Sequence, residues 1–228
     1  MKKIFLSLSV LFYCGCSSIP DLENYFPPIT SPEINSSESI GDNNNNDNNN
    51  NNNNNSGTNH EIKKIKVYIN PSVQINNMYY NNEISEAAAM NNVSNIIYTS
   101  LKDNPRFIVY HNDRMLSLKE SVIESNKLDV DYHIALHTNA GGGSGSECYY
   151  YNDKSFANSI LKSFDSYHSF PKRGLKDGSH LYELKNITAK NKALIEFLFH
   201  DNKIESKFIQ NNYNLLAMSI VESLLKIK

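Results

Sequence analysis

Apolar and polar residues follow two different periods along the chain, and the two periods alternate from about residue 61 to the C-terminus. Short apolar runs rich in β-branched and aromatic residues predict strands at 64–70, 106–112, 131–139, 147–152, 179–184 and 192–200. Helical spacing of apolar residues predicts helices at 83–101, 115–126, 154–166 and 202–227. Because strands that alternate with helices form parallel sheets covered on both faces, we expect one three-layer α/β domain. Its mostly parallel central sheet should have about six strands, with helices on both faces.

The N-terminal residues have a different pattern. Lys2 and Lys3 precede an apolar stretch at 4–13, and small residues follow it, which is the anatomy of a secretory signal. The Gly15-Cys16 junction resembles that of a bacterial lipoprotein signal, in which the cysteine becomes the lipidated first residue. We therefore predict a lipoprotein-type signal peptide at 1–16 and attachment to the membrane through a lipid anchor. Plain secretion and an uncleaved anchor are the alternatives.

The segment at 17–60 is poor in large apolar side chains and rich in Ser, Asn and Pro, and residues 43–55 are asparagine apart from Asp47. Such a segment cannot bury enough apolar surface to offset the entropy that is lost on ordering. We predict that it is a disordered Asn-rich tether. The folded domain should therefore cover 61–228.

Charge and cysteine content narrow the class of protein further. The formal net charge is -2 and the signs are mixed along the chain, which argues against a nucleic-acid-binding surface with clustered Lys and Arg. If the signal is cleaved before Cys16, only Cys148 is left as a free thiol, so no intrachain disulfide is expected. We expect a monomer with no nucleic-acid partner, located at the outer face of the cytoplasmic membrane in the cell envelope.

Three polar residues fall at positions where the pattern predicts burial. Glu86 lies one helical turn before Met90 on the apolar stripe of the first helix, His137 ends a strand, and Glu196 lies inside an apolar strand. Each has a structural alternative: a salt bridge at a helix start, a core histidine, or a buried ion pair. Two carboxylates and one imidazole at element ends also suit a zinc site in which a glutamate moves the proton of a bound water.

Three pieces of sequence in this order carry a resemblance. They are DYHIALHTNA at 131–140 with the Gly145-Ser146-Glu147 that follows it, Arg173-Gly174, and LIEFLFHDN at 194–202. Together they resemble the zinc-dependent N-acetylmuramoyl-L-alanine amidase family of bacterial cell-wall hydrolases. The resemblance implies that Glu86 and His137 bind Zn²⁺ and that Glu196 is the catalytic base. The implied reaction is hydrolysis of the amide between N-acetylmuramic acid and L-alanine in the stem peptides of peptidoglycan.

One motif departs from that family. Where the family has its first zinc-binding histidine, this chain reads Asn70-Pro71-Ser72-Val73-Gln74, which resembles a variant branch with Pro-Ser-x-Gln at this point. Val73, which aligns with the histidine, has no atom that could bind a metal. We therefore favour the Gln74 amide oxygen as the third zinc ligand. His200 or a water molecule are the alternatives, and Gln74 could equally be a loop residue that bonds its own turn.

The resemblance leaves two roles and two functions open. Asn139 and Arg173 could orient the substrate, although Asn139 could equally hold the loop at 141–143 and Arg173 could simply be solvated. The alternative function is a metal-free, amidase-like lipoprotein that only binds peptidoglycan or a partner hydrolase, and Val73 favours it. A zinc peptidase that cuts within the stem peptide is a third possibility.

Overall fold

Six strands and six helices follow one another in a computed structural model, which describes residues 63–228. The predicted signal peptide at 1–16 and tether at 17–60 lie outside the described residues. In chain order the elements are β1 (Ile65–Pro71), α1 (Glu86–Leu101), β2 (Phe107–His111), α2 (Leu118–Leu128), β3 (Tyr132–Asn139), β4 (Ser146–Tyr150), α3 (Ser155–Asp165), β5 (Lys172–Asp177), α4 (Tyr182–Asn186), β6 (Asn191–Phe199), α5 (Lys203–Asn211) and α6 (Tyr213–Leu225).

All six strands belong to one sheet with the order β2-β1-β3-β6-β4-β5. The strands β2, β1, β3 and β6 are parallel to one another, whereas β4 runs antiparallel to β6 and β5 is parallel to β4. The sheet is therefore mostly parallel and mixed at one side, which confirms the predicted α/β class.

Helices cover both faces of the sheet, as predicted. Because side chains alternate along a strand, every second residue of β1, β3 and β6 joins the main core with α1, α3 and α6; these residues include Val67, Ile69, Ile134, Leu136, Ala193 and Ile195. The intervening residues Tyr68, Ala135 and Leu194 join smaller clusters with side chains of α2 and α4. This second face also carries the polar residues of the candidate site.

Local sequence signals determine where the helices begin. The Ser85 hydroxyl accepts a hydrogen bond from the backbone N–H of Ala88, so α1 begins at Glu86 and not at residue 83. Ser117 and Glu120 form a reciprocal capping box, so α2 begins at Leu118 and not at residue 115. The first of these caps matters for function, because it places the Glu86 carboxylate in the first turn of α1.

Two predicted elements were wrong. The segment 179–184 is not a strand: Leu181 and Leu184 are three residues apart and pack in one cluster from the short helix α4. The missing strand is β5, an edge strand with exposed residues at both ends, so no alternation of apolar residues marks it. The predicted helix at 202–227 is two helices, since Asn212 leaves the helical conformation with φ −135° and ψ 34°.

Candidate active site

The carboxyl ends of β1, β3 and β6 meet the start of α1 at one edge of the sheet. Pro71 ends β1 beside Leu136 of β3, and the backbone N–H of Ser72 donates to the Leu136 carbonyl at 2.9 Å. The loop that begins at Ser72 then leads into α1. Open parallel sheets collect their ligands at such an edge, so the polar side chains there are candidates for chemistry.

Glu86 and His137 are in direct contact at this edge. The Nδ1 atom of His137 donates to Glu86 Oε1 at 2.9 Å, and the backbone N–H of Thr138 donates to the same oxygen at 3.3 Å. Glu86 is fully buried. Burial raises the pKa of the Glu86 carboxyl, but the hydrogen bond and charge of His137 and the bonds from Asn77 and Ser72 hold it below its ordinary value. Glu86 is therefore ionised at neutral pH.

His137 is held in the charged form by its acidic neighbours. Burial lowers the pKa of the imidazole, but the hydrogen bond to Glu86 and the charges of Glu196 and Glu86 outweigh burial and raise it to about 9. Its side chain is 17% exposed, and the ring lines a cavity together with Gln74 and Glu183. A cation bound here would therefore compete with a proton for Nδ1.

Glu196 lies beside His137 on the same face of the sheet. The two residues are directly paired across the parallel strands β3 and β6. Burial raises the pKa of the Glu196 carboxyl to about 7, since the repulsion of Glu86 and Glu147 opposes the attraction of His137. Within residues 63–228, its Oε2 atom is buried and has no hydrogen-bond partner. A buried carboxylate oxygen without a partner is costly, and a proton or a water molecule would satisfy it.

Gln74 is linked to Glu86 by hydrogen bonds through Asn77. The Nδ2 atom of Asn77 donates to Glu86 Oε2 at 3.0 Å and to Gln74 Oε1 at 2.6 Å. Because the Glu86 carboxylate only accepts, Asn77 must present its N–H atoms to both partners, and this orients the Gln74 amide. The Gln74 nitrogen Nε2 then lies 3.5 Å from His137 Nδ1. Gln74 thus lies at the site but turns its nitrogen, and not its oxygen, toward His137.

His200, the alternative ligand, lies behind the site. Its Nδ1 atom is 3.0 Å from the Thr138 hydroxyl and its ring stacks on Tyr79, with the ring centroids 5.5 Å apart. Thr138 alternates with His137 along β3, so His200 contacts the opposite face of that strand. The structure brings Glu86, His137, Glu196 and Gln74 to one edge and leaves His200 apart from them.

Of the three predicted zinc ligands, Glu86 and His137 are placed so that they could bind zinc, whereas Gln74 is not. Ligand atoms of a tetrahedral zinc ion with bonds of about 2.0–2.1 Å are roughly 3.3–3.4 Å apart, close to the 2.9 Å between Glu86 Oε1 and His137 Nδ1. Among residues 63–228, no three His, Cys, Asp or Glu side chains are grouped so that they could hold a metal ion. Gln74 is the predicted third ligand at this edge. The Gln74 amide would suit if it turned over and exchanged its oxygen and nitrogen.

Glu147 extends the polar face beyond Glu196. It is paired with Glu196 across β4 and β6 and is buried. Its Oε1 accepts from Asn139 Nδ2 at 2.9 Å, and its Oε2 accepts from Arg173 Nε at 2.7 Å. Asn139 and Arg173, whose roles the sequence left open, are thus tied to one carboxylate. Asn139 also caps its own turn, since its Oδ1 accepts from the Ala140 N–H at 2.9 Å.

A second buried polar group lies under the site on the same face. Glu183 Oε1 accepts from His133 Nε2 at 2.7 Å and from Asn70 Nδ2 at 2.6 Å. Asn70 precedes the loop that carries Gln74, and a cavity of about 160 Å³ separates Glu183 from Gln74 and His137. His133, whose Nδ1 atom is also 2.9 Å from the Ser125 hydroxyl, is thus bonded through both ring nitrogens. The group anchors the end of β1 and so supports the loop above it.

Sequence reasoning missed three residues that organise the site: Asn77, Glu147 and Glu183. Asn77 lies in a segment without a strand or helix pattern, and Glu183 lies in the segment 179–184, which was wrongly predicted to be a strand. Glu147 belongs to a motif that carries the family resemblance, but its spacing from neighbouring polar residues gives no sign of its partners. The partners of Glu183 are 50 and 113 residues away along the chain, and only the fold brings them together.

Comparison with known proteins agrees with this geometry. A family model described as N-acetylmuramoyl-L-alanine amidase matches residues 74–226. The chain belongs to this family. The match covers β2 to β6 and α1 to α6, and it includes Glu86, His137 and Glu196. A search of curated protein sequences found no match.

Solved amidase structures have the same fold as this amidase-family chain. The catalytic domain of CwlV, an N-acetylmuramoyl-L-alanine amidase from Bacillus (Paenibacillus) polymyxa var. colistinus, is 22% identical with a TM-score of 0.65; the match covers 72% of this chain and 99% of that one. An N-acetylmuramoyl-L-alanine amidase from Clostridium difficile 630 is 22% identical with a TM-score of 0.63, over 71% and 95% of the two chains. AmiC2 of Nostoc punctiforme is 15% identical with a TM-score of 0.66, over 72% and 97%.

Membership of a cell-wall amidase family implies a peptidoglycan substrate and an extracytoplasmic location. In the part of the amidase-family chain from residue 63 onward, no helix combines the length and the apolar character needed to cross a membrane.

Proposed function

We propose that this protein is a zinc-dependent hydrolase that cleaves the amide between N-acetylmuramic acid and L-alanine in peptidoglycan stem peptides. One observation carries the proposal. The ionised Glu86 carboxylate touches the His137 imidazole at 2.9 Å, directly beside Glu196, whose Oε2 atom is buried and has no hydrogen-bond partner within residues 63–228. A carboxylate and an imidazole are zinc ligands, and a neighbouring carboxyl with a pKa near neutrality suits proton transfer.

Each side chain has a role in the proposed reaction. Glu86 and His137 hold Zn²⁺, and Gln74 or water completes the set. When bound, zinc supplies a Lewis acid that polarises the scissile carbonyl and lowers the pKa of the attacking water. Glu196 takes the proton of that water at its free Oε2 atom and returns it to the amine of L-alanine as the carbon–nitrogen bond breaks. No covalent intermediate with the protein is needed.

Asn77 acts through its neighbours in this scheme. It binds Glu86 Oε2 and leaves Oε1 to face His137, so it orients the carboxylate that we assign to the metal. Partners behind a metal ligand usually matter for affinity nearly as much as the ligands themselves. We therefore assign Asn77 a positioning role.

We further propose that the protein acts as a monomer, anchored by a lipid on Cys16 to the outer face of the cytoplasmic membrane. Support comes from the sequence of the N-terminal residues alone, which is typical of a lipoprotein signal followed by a polar tether. We also propose that the variant motif Pro71-Ser72-Val73-Gln74 supplies the Gln74 amide as a zinc ligand, because Val73 takes the place of the expected histidine.

The experiment that tests the activity is digestion of purified sacculi with the protein, with and without a chelator, followed by mass spectrometry of the new ends. Release of intact stem peptides that begin with L-alanine, abolished by the chelator and restored by Zn²⁺, is the expected result. Cuts inside the stem peptide would instead identify a zinc peptidase. An unchanged digest would refute the proposed activity.

A second function has an observation in its favour. The chain of hydrogen bonds from His137 through Glu86 and Asn77 to Gln74 satisfies these groups without a metal, and Val73 stands where a metal-binding histidine is expected. A metal-free protein that only binds peptidoglycan would have such a site. It would bind sacculi, contain no zinc and release no peptide in the same experiment.

A further inference from the structure

The backbone of β5 is distorted at one residue next to the candidate site. In the ladder between β4 and β5, Ser146 pairs with Lys172 and Glu147 pairs with Gly174, so Arg173 is an extra residue without a partner. Gly174 adopts a φ of +82°, which side-chain-bearing residues rarely adopt. A bulge of this kind redirects a side chain, and such bulges are frequent beside active sites. Here the redirected side chain is that of Arg173.

Two contacts fix the Arg173 guanidinium over the polar face of the sheet. Its Nε atom donates to Glu147 Oε2 at 2.7 Å, and its Cζ atom lies 5.1 Å from the centroid of the Phe199 ring. Phe199 ends β6, the strand that carries Glu196, so the Arg173 side chain reaches back from β5 across β4 toward the site. Stacking on an aromatic face and one bond to a buried carboxylate hold the guanidinium in place.

The outer nitrogens of this guanidinium are free. Within residues 63–228, neither Nη atom of Arg173 donates a hydrogen bond, and the side chain is 39% exposed. Glu147 does not require them, because Asn139 and the Tyr149 hydroxyl already donate to its other oxygen. The guanidinium therefore offers its forked N–H groups to solvent, in the geometry that matches a carboxylate.

We propose that Arg173 binds a carboxylate carried by the second residue of the stem peptide and so determines which peptides the protein accepts. This rests on the proposed function, since it assumes that the scissile amide lies beside Glu196. Glu147 is paired with Glu196 on the adjacent strand, about 5 Å away, and Phe199 lies three residues beyond Glu196 along β6, roughly 10 Å away. An extended peptide advances about 3.3–3.6 Å per residue, so these distances correspond to the second residue after the cut.

The test compares two N-acetylmuramoyl-L-alanyl dipeptides that end in D-glutamate, one with a free α-carboxylate and one with an α-carboxamide. Binding is measured by calorimetry in a Glu196→Gln background, where turnover is blocked, so the result does not depend on hydrolysis. We expect the carboxylate probe to bind about fivefold to tenfold more tightly, as one partly exposed charged pair would produce.

Three variants in that background separate recognition from structure. Arg173→Gln should weaken binding of the carboxylate probe alone, so that the ratio of the two dissociation constants becomes about one. Arg173→Lys should restore part of the preference for the carboxylate probe. Lys176→Gln, which removes an exposed positive charge from the same strand, should leave the ratio unchanged. Equal weakening of both probes in Arg173→Gln, an unchanged ratio, or no binding of either probe would overturn the proposal. A failed sacculus digest with a normal binding ratio would refute the hydrolase activity but not the role of Arg173.

Discussion

Replacing Glu183 by glutamine should destabilise the domain by about 3 kcal/mol. The Glu183 carboxylate is 3% exposed and accepts from His133 Nε2 at 2.7 Å and from Asn70 Nδ2 at 2.6 Å through a single oxygen. A glutamine keeps one oxygen that can accept these bonds but loses the charge. If its amide turns over, its N–H atoms face the two donors, His133 and Asn70. Losing a charge-assisted bond costs about 1.5–3 kcal/mol, and breaking a buried pair costs about 3–5 kcal/mol.

Urea unfolding followed by circular dichroism measures this change in the free energy of unfolding. For a domain of this size, about 3 kcal/mol corresponds to a fall in Tm of roughly 6–12 °C. Glu83→Gln is the matched control, because Glu83 is exposed and, among residues 63–228, bonds only to Asn81; its effect should stay within about 0.5 kcal/mol. A loss below about 0.5 kcal/mol in Glu183→Gln would refute the argument that the buried pair stabilises this face.

The same pair predicts how stability depends on pH. Burial raises the pKa of Glu183, but the bond and charge of His133, the charge of His137 and the bond from Asn70 hold it below its ordinary value of 4.5. A carboxyl whose pKa is lower in the folded state stabilises the fold above the unfolded pKa. That stability is lost as the pH falls through the folded value. The free energy of unfolding of the parent protein should therefore exceed that of Glu183→Gln by the full amount above pH 4.5. The difference should shrink as the pH falls below that value.

Three further predictions concern the site. Glu196→Gln should keep bound zinc, measured by elemental analysis, and lose peptide release from sacculi by about 10²–10⁴-fold; equal activity would remove Glu196 as the base. Asn77→Ala should weaken zinc binding by about 10–100-fold in equilibrium dialysis, whereas Asn81→Ala in the same loop should not; equal affinities would leave Asn77 without a positioning role. Because burial raises the pKa of Glu196 to about 7 and a bound cation would lower it, kcat/KM should rise with pH up to at most about 7; a fall over pH 5–7 would contradict this.

The parts of the fold that bury apolar runs could be predicted from the sequence. The strands β1, β3 and β6 are largely apolar, and His137 and Glu196, two of the polar residues within them, lie at the candidate site. The edge strand β5 could not be predicted, since its residues Lys172–Asp177 face solvent at both ends and its ladder contains a bulge. A pattern of burial carries no information where little is buried.

The partners of the site residues could not be predicted for a different reason. Asn77 lies nine residues from Glu86, and Glu183 lies 50 residues from His133. These pairs depend on how loops close over the sheet edge, and nothing local distinguishes them from solvated residues. Sequence also could not show that the Gln74 amide presents its nitrogen to His137, because that orientation follows from Asn77.

Zinc content is the most direct test of the central claim that Glu86 and His137 hold a metal ion beside Glu196. The protein and its Glu86→Ala and His137→Ala variants would be dialysed against buffered Zn²⁺ and measured by elemental analysis, with circular dichroism to check that each variant is folded. We predict one zinc ion per chain in the parent protein and less than a tenth of that in folded forms of both variants. A parent protein without zinc, or variants that bind as much zinc as the parent, would contradict the claim.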